Sequence, residues 1–288
     1  MRRQATEGDR ERRRVVVRRV GLLVALGAIS GLFAIGPGWA TESLRPAGRT
    51  GAGTTLPAPG VFRNLRVCAS TDFSRAQHRC TTDQRETPIV SNRISCSVDI
   101  VVRRTSVVRG QILYRGGVAH TIGPTLLRPG TYPAWIYENV KIDQPLPGGS
   151  WRCEFTLGSA RTDVAFTSGG PEGDVVNVAV CGRQTTVRHE TSGLILCRKD
   201  DSTAVLPASE PVRCSATFAG VPGKVALLEI VRRGVRRTSV DFVVGSTIWL
   251  GTVQLRPSEG ATLQPGSFAC RFSLDGEIVA EKPFAVVR

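Results

Sequence analysis

Strict alternation of apolar and polar residues marks two stretches of this chain. Trp151, Cys153, Phe155 and Leu157 fall on every second position, and so do Phe268, Cys270, Phe272 and Leu274, with mostly polar residues between them. A period of two is the signature of a strand that buries one face. Ile94, Cys96 and Val98 alternate in the same way, as do Val212, Cys214, Ala216 and Phe218. Further strands are predicted over residues 111–114, 225–231, 238–244 and 248–255, interrupted by turn residues at the spacing of a sandwich. Asp275-Gly276 predicts a tight turn, after which the chain returns through Ile278 to Val287 as a hairpin.

One segment departs from this pattern. Val20 to Ile35 is almost wholly apolar, follows arginines at 12, 13, 14, 18 and 19, and is followed by Gly36, Pro37 and Trp39. As a signal anchor, residues 20–40 reach the length of about 20 residues that spans the hydrocarbon, with Trp39 at the far interface. As a signal peptide, the small residues around Ala40 supply a cleavage site. Either way the basic residues 1–19 stay in the cytoplasm and the rest is exported. Residues 41–60, rich in Gly, Pro and Thr, read as a flexible tether.

Eight cysteines follow the apolar segment and none precedes it: Cys68, Cys80, Cys96 and Cys153, then Cys181, Cys197, Cys214 and Cys270. The second four repeat the first at offsets of 113, 117, 118 and 117. The similarity extends to Ser150–Leu157 against Ser267–Leu274, Arg115–Val118 against Arg232–Val235, Trp135-Ile136 against Trp249-Leu250, and Phe166 against Phe284. A duplicated domain explains the pattern, with domain 1 over residues 61–168, a Gly-rich linker over 169–173 and domain 2 over 174–288. The cysteines are too far apart in sequence for the close ligand pairs of a structural zinc site, and an exported compartment favours oxidation.

Cysteines 57 and 56 residues apart on alternating strands, with an aromatic residue two positions before the second, resemble the immunoglobulin-like fold. The resemblance implies two tandem all-β sandwiches. It also implies Cys96–Cys153 and Cys214–Cys270 as bridges between strands B and F, which leaves Cys68–Cys80 and Cys181–Cys197. Trp151 and Phe268 depart from the family pattern, because neither carries the hydroxyl of the corner tyrosine. Trp135 and Trp249 come too late after the first bridge cysteine to be the core tryptophan of strand C. Fold-level likeness carries no function with it.

Charge changes the picture little. Of the net +14, residues 1–19 contribute +5 (eight Arg, three acids), residues 61–168 +6 (14 and 8) and residues 174–288 +3 (14 and 11). Only four of the 38 basic residues are Lys, an Arg bias that, with no N-x-Ser/Thr sequon, points to a bacterial source. No nucleic-acid module is recognisable, so no nucleic-acid partner is expected. His78, His120 and His189 have no neighbours at metal-ligand spacing, and no nucleophile elbow, phosphate loop or dinucleotide fingerprint occurs. No catalytic residue, metal or cofactor is therefore expected. Arg232, Arg233, Arg236 and Arg237 around Gly234 form a predicted hairpin tip and are the candidate anion-binding residues. These features together predict a non-enzymatic binding or scaffolding protein of a cell envelope, anchored by its N-terminal helix or secreted after cleavage. Its expected partner is an envelope protein, glycan or lipid. The alternative is a pair of accessory domains of an envelope enzyme, or a hydrolase with an unrecognised site.

Overall fold

The computed structural model describes residues 58–140, 144–189 and 192–288. The expected membrane segment at residues 20–40, the basic residues 1–19 and nearly all of the tether lie outside the described residues. Among the described residues no helix is long and apolar enough to cross a membrane.

Among the described residues nine strands form the first half: β1 (Gly60–Ala69), β2 (Phe73–Ser74), β3 (Arg79–Cys80), β4 (Arg93–Val102), β5 (Ser106–Tyr114), β6 (Gly117–Leu127), β7 (Gly130–Asn139), β8 (Gly149–Leu157) and β9 (Ala160–Ser168). Ten form the second: β10 (Val175–Cys181), β11 (Thr186–Arg188), β12 (Ile195–Cys197), β13 (Val205–Pro207), β14 (Val212–Ala219), β15 (Val225–Arg232), β16 (Val235–Val243), β17 (Ile248–Leu255), β18 (Gly266–Leu274) and β19 (Glu277–Val287). The first half pairs a β1-β4-β7 sheet with a β6-β5-β8-β9 sheet. The second repeats this as β10-β14-β17 and β13-β19-β18-β15-β16. In immunoglobulin letters these are ABE and C′CFG sheets. The fourth strand thus pairs with C, whereas constant-type domains pair it with E.

All eight cysteines are paired as the strand pattern and the resemblance imply: Cys68–Cys80, Cys96–Cys153, Cys181–Cys197 and Cys214–Cys270. Cys96 and Cys153 lie on strands B and F and are fully buried among Ile94, Val98, Ile112, Phe155 and Leu157. Cys214 and Cys270 hold the same place among Phe218, Leu228, Ile230 and Phe272. Four disulfides belong to an oxidising compartment, so this is the fold of an extracellular or secreted region.

Both A strands carry the same irregularity. Registers shift between Arg63 and Arg66 and between Val176 and Ala179, and in each bulge an asparagine takes a left-handed conformation, Asn64 at φ 52° and Asn177 at φ 55°. Asparagine tolerates that region better than other side chains with a Cβ. Each stands four residues before its cysteine.

Sheet register corrects two details of the repeat. The cysteine strand B meets strand E at Cys96↔Ile136 and at Cys214↔Val253, so Trp135 corresponds to Thr252 and not to Trp249. Trp249 takes the place of Tyr132 instead (Ile100↔Tyr132, Phe218↔Trp249). His120 corresponds to Thr238 (Ile112↔His120, Ile230↔Thr238). In the C–C′ hairpins Tyr114↔Gly117 matches Arg232↔Val235, which aligns Arg115 with Arg233.

Candidate functional site

The candidate arginines sit on the β15–β16 hairpin. Arg233 (φ 50°) and Gly234 (φ 77°) are its two central turn residues, both in the left-handed region that such a two-residue turn demands. A bulge follows, with Val231 opposite Arg236 and Ile230 opposite Thr238, so Arg237 is the inserted residue.

The four arginines do not act together. Arg232 bonds Gln264, donates from Nη2 to the Pro265 carbonyl at 2.8 Å, and stacks on Phe268 with its guanidinium 5.7 Å from the ring centre. Arg236 pairs with the buried Glu229. Arg233 and Arg237 are exposed and have no hydrogen-bonding or ion-pair partner among the described residues. Val235 stands between the two pairs, 56% exposed. The tip therefore offers two unengaged cations flanking an exposed apolar side chain.

The equivalent hairpin of the first sandwich, with Arg115 (φ 48°) and Gly116 (φ 83°) at its turn, is in use. Arg115 Nη1 lies 3.3 Å from Asp174 Oδ1 at the start of the second sandwich. Gly117 abuts Thr247: a Cβ there would stand 2.5 Å from the threonine hydroxyl. Gly220 abuts the other side, where a Cβ would come within 3.2 Å of Arg115 Cδ and 3.5 Å of Tyr114. Gly148 N–H donates to the Pro171 carbonyl of the linker (2.7 Å), and the bulge residue Asn177 donates from Nδ2 to the Pro145 carbonyl (2.9 Å). Val176 and Ala219 of the second sandwich belong to the hydrophobic core of the first, and Ile248 and Leu250 pack against that core. The two sandwiches are thus joined through continuous apolar packing and polar contacts.

The corner of strand F is remade without tyrosine. Trp151 donates its indole N–H to the Pro147 carbonyl, four residues upstream, at 3.1 Å. The bond that the missing hydroxyl would make is supplied by a different donor.

A row of rings lies on the first sandwich. Trp135 and Tyr137 project from β7 with ring centres 5.5 Å apart; Phe73 flanks Trp135 at 5.2 Å and His120 flanks Tyr137 at 6.1 Å. Arg93 sits 3.8 Å above the Tyr137 ring. His78, inside the Cys68–Cys80 loop, stacks 6.3 Å from Trp135. Cys80 N–H donates to Ser97 Oγ at 2.9 Å, so this loop folds over β4 and the ring row seats it. Next to the row, Glu138 is buried and its Oε1 accepts from Asn139 N–H at 3.0 Å. Burial pushes its carboxyl up to about 8, against the pull of that hydrogen bond. Burial also lowers the His120 imidazole. Their 3.9 Å contact therefore joins two groups whose charged forms burial disfavours. His189 bonds Ser192 in a loop, 3.0 Å from Nδ1 to Oγ.

A cleft of about 510 Å³ lies between Gln144 and the Cys181–Cys197 loop, lined by Gln184, Thr185, Arg198, Lys199 and Asp200. Burial works against the charged form of Asp200, yet Lys282 (2.7 Å) and hydrogen bonds from Val180 and Ser202 hold its carboxyl below the usual range. Among the described residues no three His, Cys, Asp or Glu side chains stand together as a metal site.

No protein-family model matches the chain, and comparison with curated proteins finds no match either. Among solved structures, a chimeric titin Z1Z2-Z1Z2 tandem is 10% identical over 68% of this chain and 90% of its own, with a TM-score of 0.20. A Salmonella alpha-2-macroglobulin mutant is 11% identical over 80% of this chain, which spans 17% of that protein, with a TM-score of 0.23.

The docked use of the first hairpin was not legible in the sequence, because one turn motif serves at both positions. A weak signal existed. The first hairpin reads Arg-Gly-Gly-Val-Ala and the second Arg-Gly-Val-Arg-Arg, and only glycine and small side chains suit close packing against another domain.

Proposed function

We propose that this chain is a non-enzymatic binding or scaffolding protein of a cell envelope. Its two sandwiches act as one stiff extracytoplasmic unit, held at the membrane by the apolar segment at residues 20–40. The joint carries this reading. A core that runs from one sandwich into the next, with an ion pair and backbone bonds across it, holds two surfaces at a fixed spacing, which is what a scaffold requires and a flexible linker does not supply. Cysteines that are all engaged in disulfides support the extracytoplasmic setting, and the basic-then-apolar N-terminal sequence supports the anchor.

Chemical crosslinking in the membranes of the producing cells, followed by affinity purification of the full-length chain, tests the proposal. A polypeptide enriched in proportion to the bait, and lost when residues 58–288 are deleted, is the expected result. Recovery of the bait alone counts against a scaffold, and release of the chain into the medium counts against the anchor.

A further inference from the structure

The second sandwich ends in the surface that the first sandwich uses to grip its neighbour. In the first, the β5–β6 turn places Arg115 against Asp174 while Gly117 packs on Thr247. In the second, the β15–β16 turn has the same backbone, with Arg233 in the place of Arg115 and Val235 in the place of Gly117. It meets nothing among the described residues. It also differs in a consistent direction: Arg236 and Arg237 stand where the first hairpin has Val118 and Ala119.

We propose that this free hairpin is a docking surface for a protein domain that presents carboxylates beside an apolar patch, and that Arg233 and Arg237 receive the carboxylates while Val235 enters the patch. The inference rests on the scaffolding reading and names its contact site. Charge complementarity fixes the partner's chemistry. One carboxylate satisfies the first hairpin, whose turn carries one arginine, whereas the second hairpin leaves two unengaged and calls for a more acidic face. A second copy docking head to tail does not fit. The position of Asp174 corresponds to Val61 in the first sandwich, and the exposed cations at that end, Arg103, Arg104 and Arg128, would oppose Arg233 and Arg237. The exposed Val235 also distinguishes the site from a turn that only keeps edge strands soluble, for which charge alone suffices.

Site-specific photocrosslinking in the producing cells tests this with the full chain. A benzophenone amino acid replaces Val235, and in separate chains the exposed Val90, Leu126 or Ile278. The expected result is an adduct with another polypeptide from position 235, mapped to an Asp- or Glu-bearing segment. Its yield should fall about tenfold when Arg233→Glu and Arg237→Glu are added, while the paired Lys substitutions keep it. Unchanged thermal unfolding of the Glu variant shows that the loss is not misfolding. An adduct from 235 that ignores charge reversal, that joins two copies of this chain, or that carries lipid or glycan overturns the assignment. So does an adduct from 90, 126 or 278 with none from 235, although scaffolding then stands. No adduct from any of the four positions overturns both readings.

Discussion

Tyr114 and Arg232 occupy the same position in the two sandwiches and make the same pair of contacts with different chemistry. Tyr114 donates its hydroxyl to the Gly148 carbonyl at 2.9 Å, and its ring lies 4.7 Å from that of Trp151. Arg232 donates to the Pro265 carbonyl at 2.8 Å and stacks on Phe268. Each ties strand C to the residue that precedes the first glycine of strand F, so each closes the same corner of its core.

Arg232→Ala should therefore destabilise the second sandwich by about 1–3 kcal/mol, through loss of charged hydrogen bonds and of the ring contact. Thermal unfolding would show a midpoint lower by several degrees. Arg232→Lys should recover only part of this, because a point charge cannot both stack on Phe268 and reach Pro265. Full recovery with Lys would mean that charge alone matters at this position.

The two bridges of one sandwich should differ in worth. Cys96–Cys153 closes a separation of 57 residues and Cys68–Cys80 one of 12. Chain entropy makes the longer loop more stabilising by about 1 kcal/mol, on a base of about 2–4 kcal/mol each. Denaturant titration of the two paired Cys→Ala variants should rank them in that order; the reverse order would show that the short loop acts through the folded state.

Stability should fall as pH rises toward the range where Glu138 ionises. Its carboxyl ordinarily titrates near 4.5 and in the folded chain near about 8. The folded state thus holds a proton that the unfolded chain gives up between those values. The neutral carboxyl's contribution is whole below 4.5 and is lost as pH climbs through about 8. Glu138→Gln should unfold at a higher temperature than the parent at alkaline pH, by several degrees, with the gap closing toward acid pH. Melting curves across that range check it, and a gap that does not change with pH would rule the carboxyl out.

The Arg115–Asp174 pair is partly exposed, so its own worth is small, about 0.2–1 kcal/mol. Gly117 is the stricter constraint. Gly117→Val, which copies the residue of the second hairpin, should drive a side chain into Thr247 and loosen the joint. Small-angle scattering should show a broader distance distribution, and protease cleavage within 169–173 should speed up. An unchanged profile would mean that the joint does not depend on this approach.

Much of the fold was legible because disulfides and alternation constrain the same strands. Cys153 on a strand with Trp151, Phe155 and Leu157 leaves one face for the core, and its register follows from that. The misplacement of Trp249 has the same origin seen in reverse. Strand E has no cysteine to fix its register, and the two tryptophans stand on opposite faces: Trp135 lies outward against Phe73, whereas Trp249 shares the side of its strand with the buried Val253 and meets Phe242 at the exposed strand end. Matching residue types aligned them, but the pleat does not. The hairpin arginines were visible as a cluster. Arg232 and Arg236 left it in the fold because Phe268, distant in sequence, lies under the one guanidinium and Glu229, on the facing strand of the same hairpin, pairs with the other.

The four disulfides have a consequence for a chain held under tension. Between Gly60 and Arg288 they lock separations of 12, 57, 16 and 56 residues in loops that do not overlap. At roughly 3.4 Å per extended residue, a pull on the two ends can pay out roughly 300 Å of oxidised chain, against roughly 780 Å if every bridge were reduced. Both covalent clamps between strands B and F lie across the sandwich interiors, so even a forcibly opened sandwich keeps its two sheets tethered at the core.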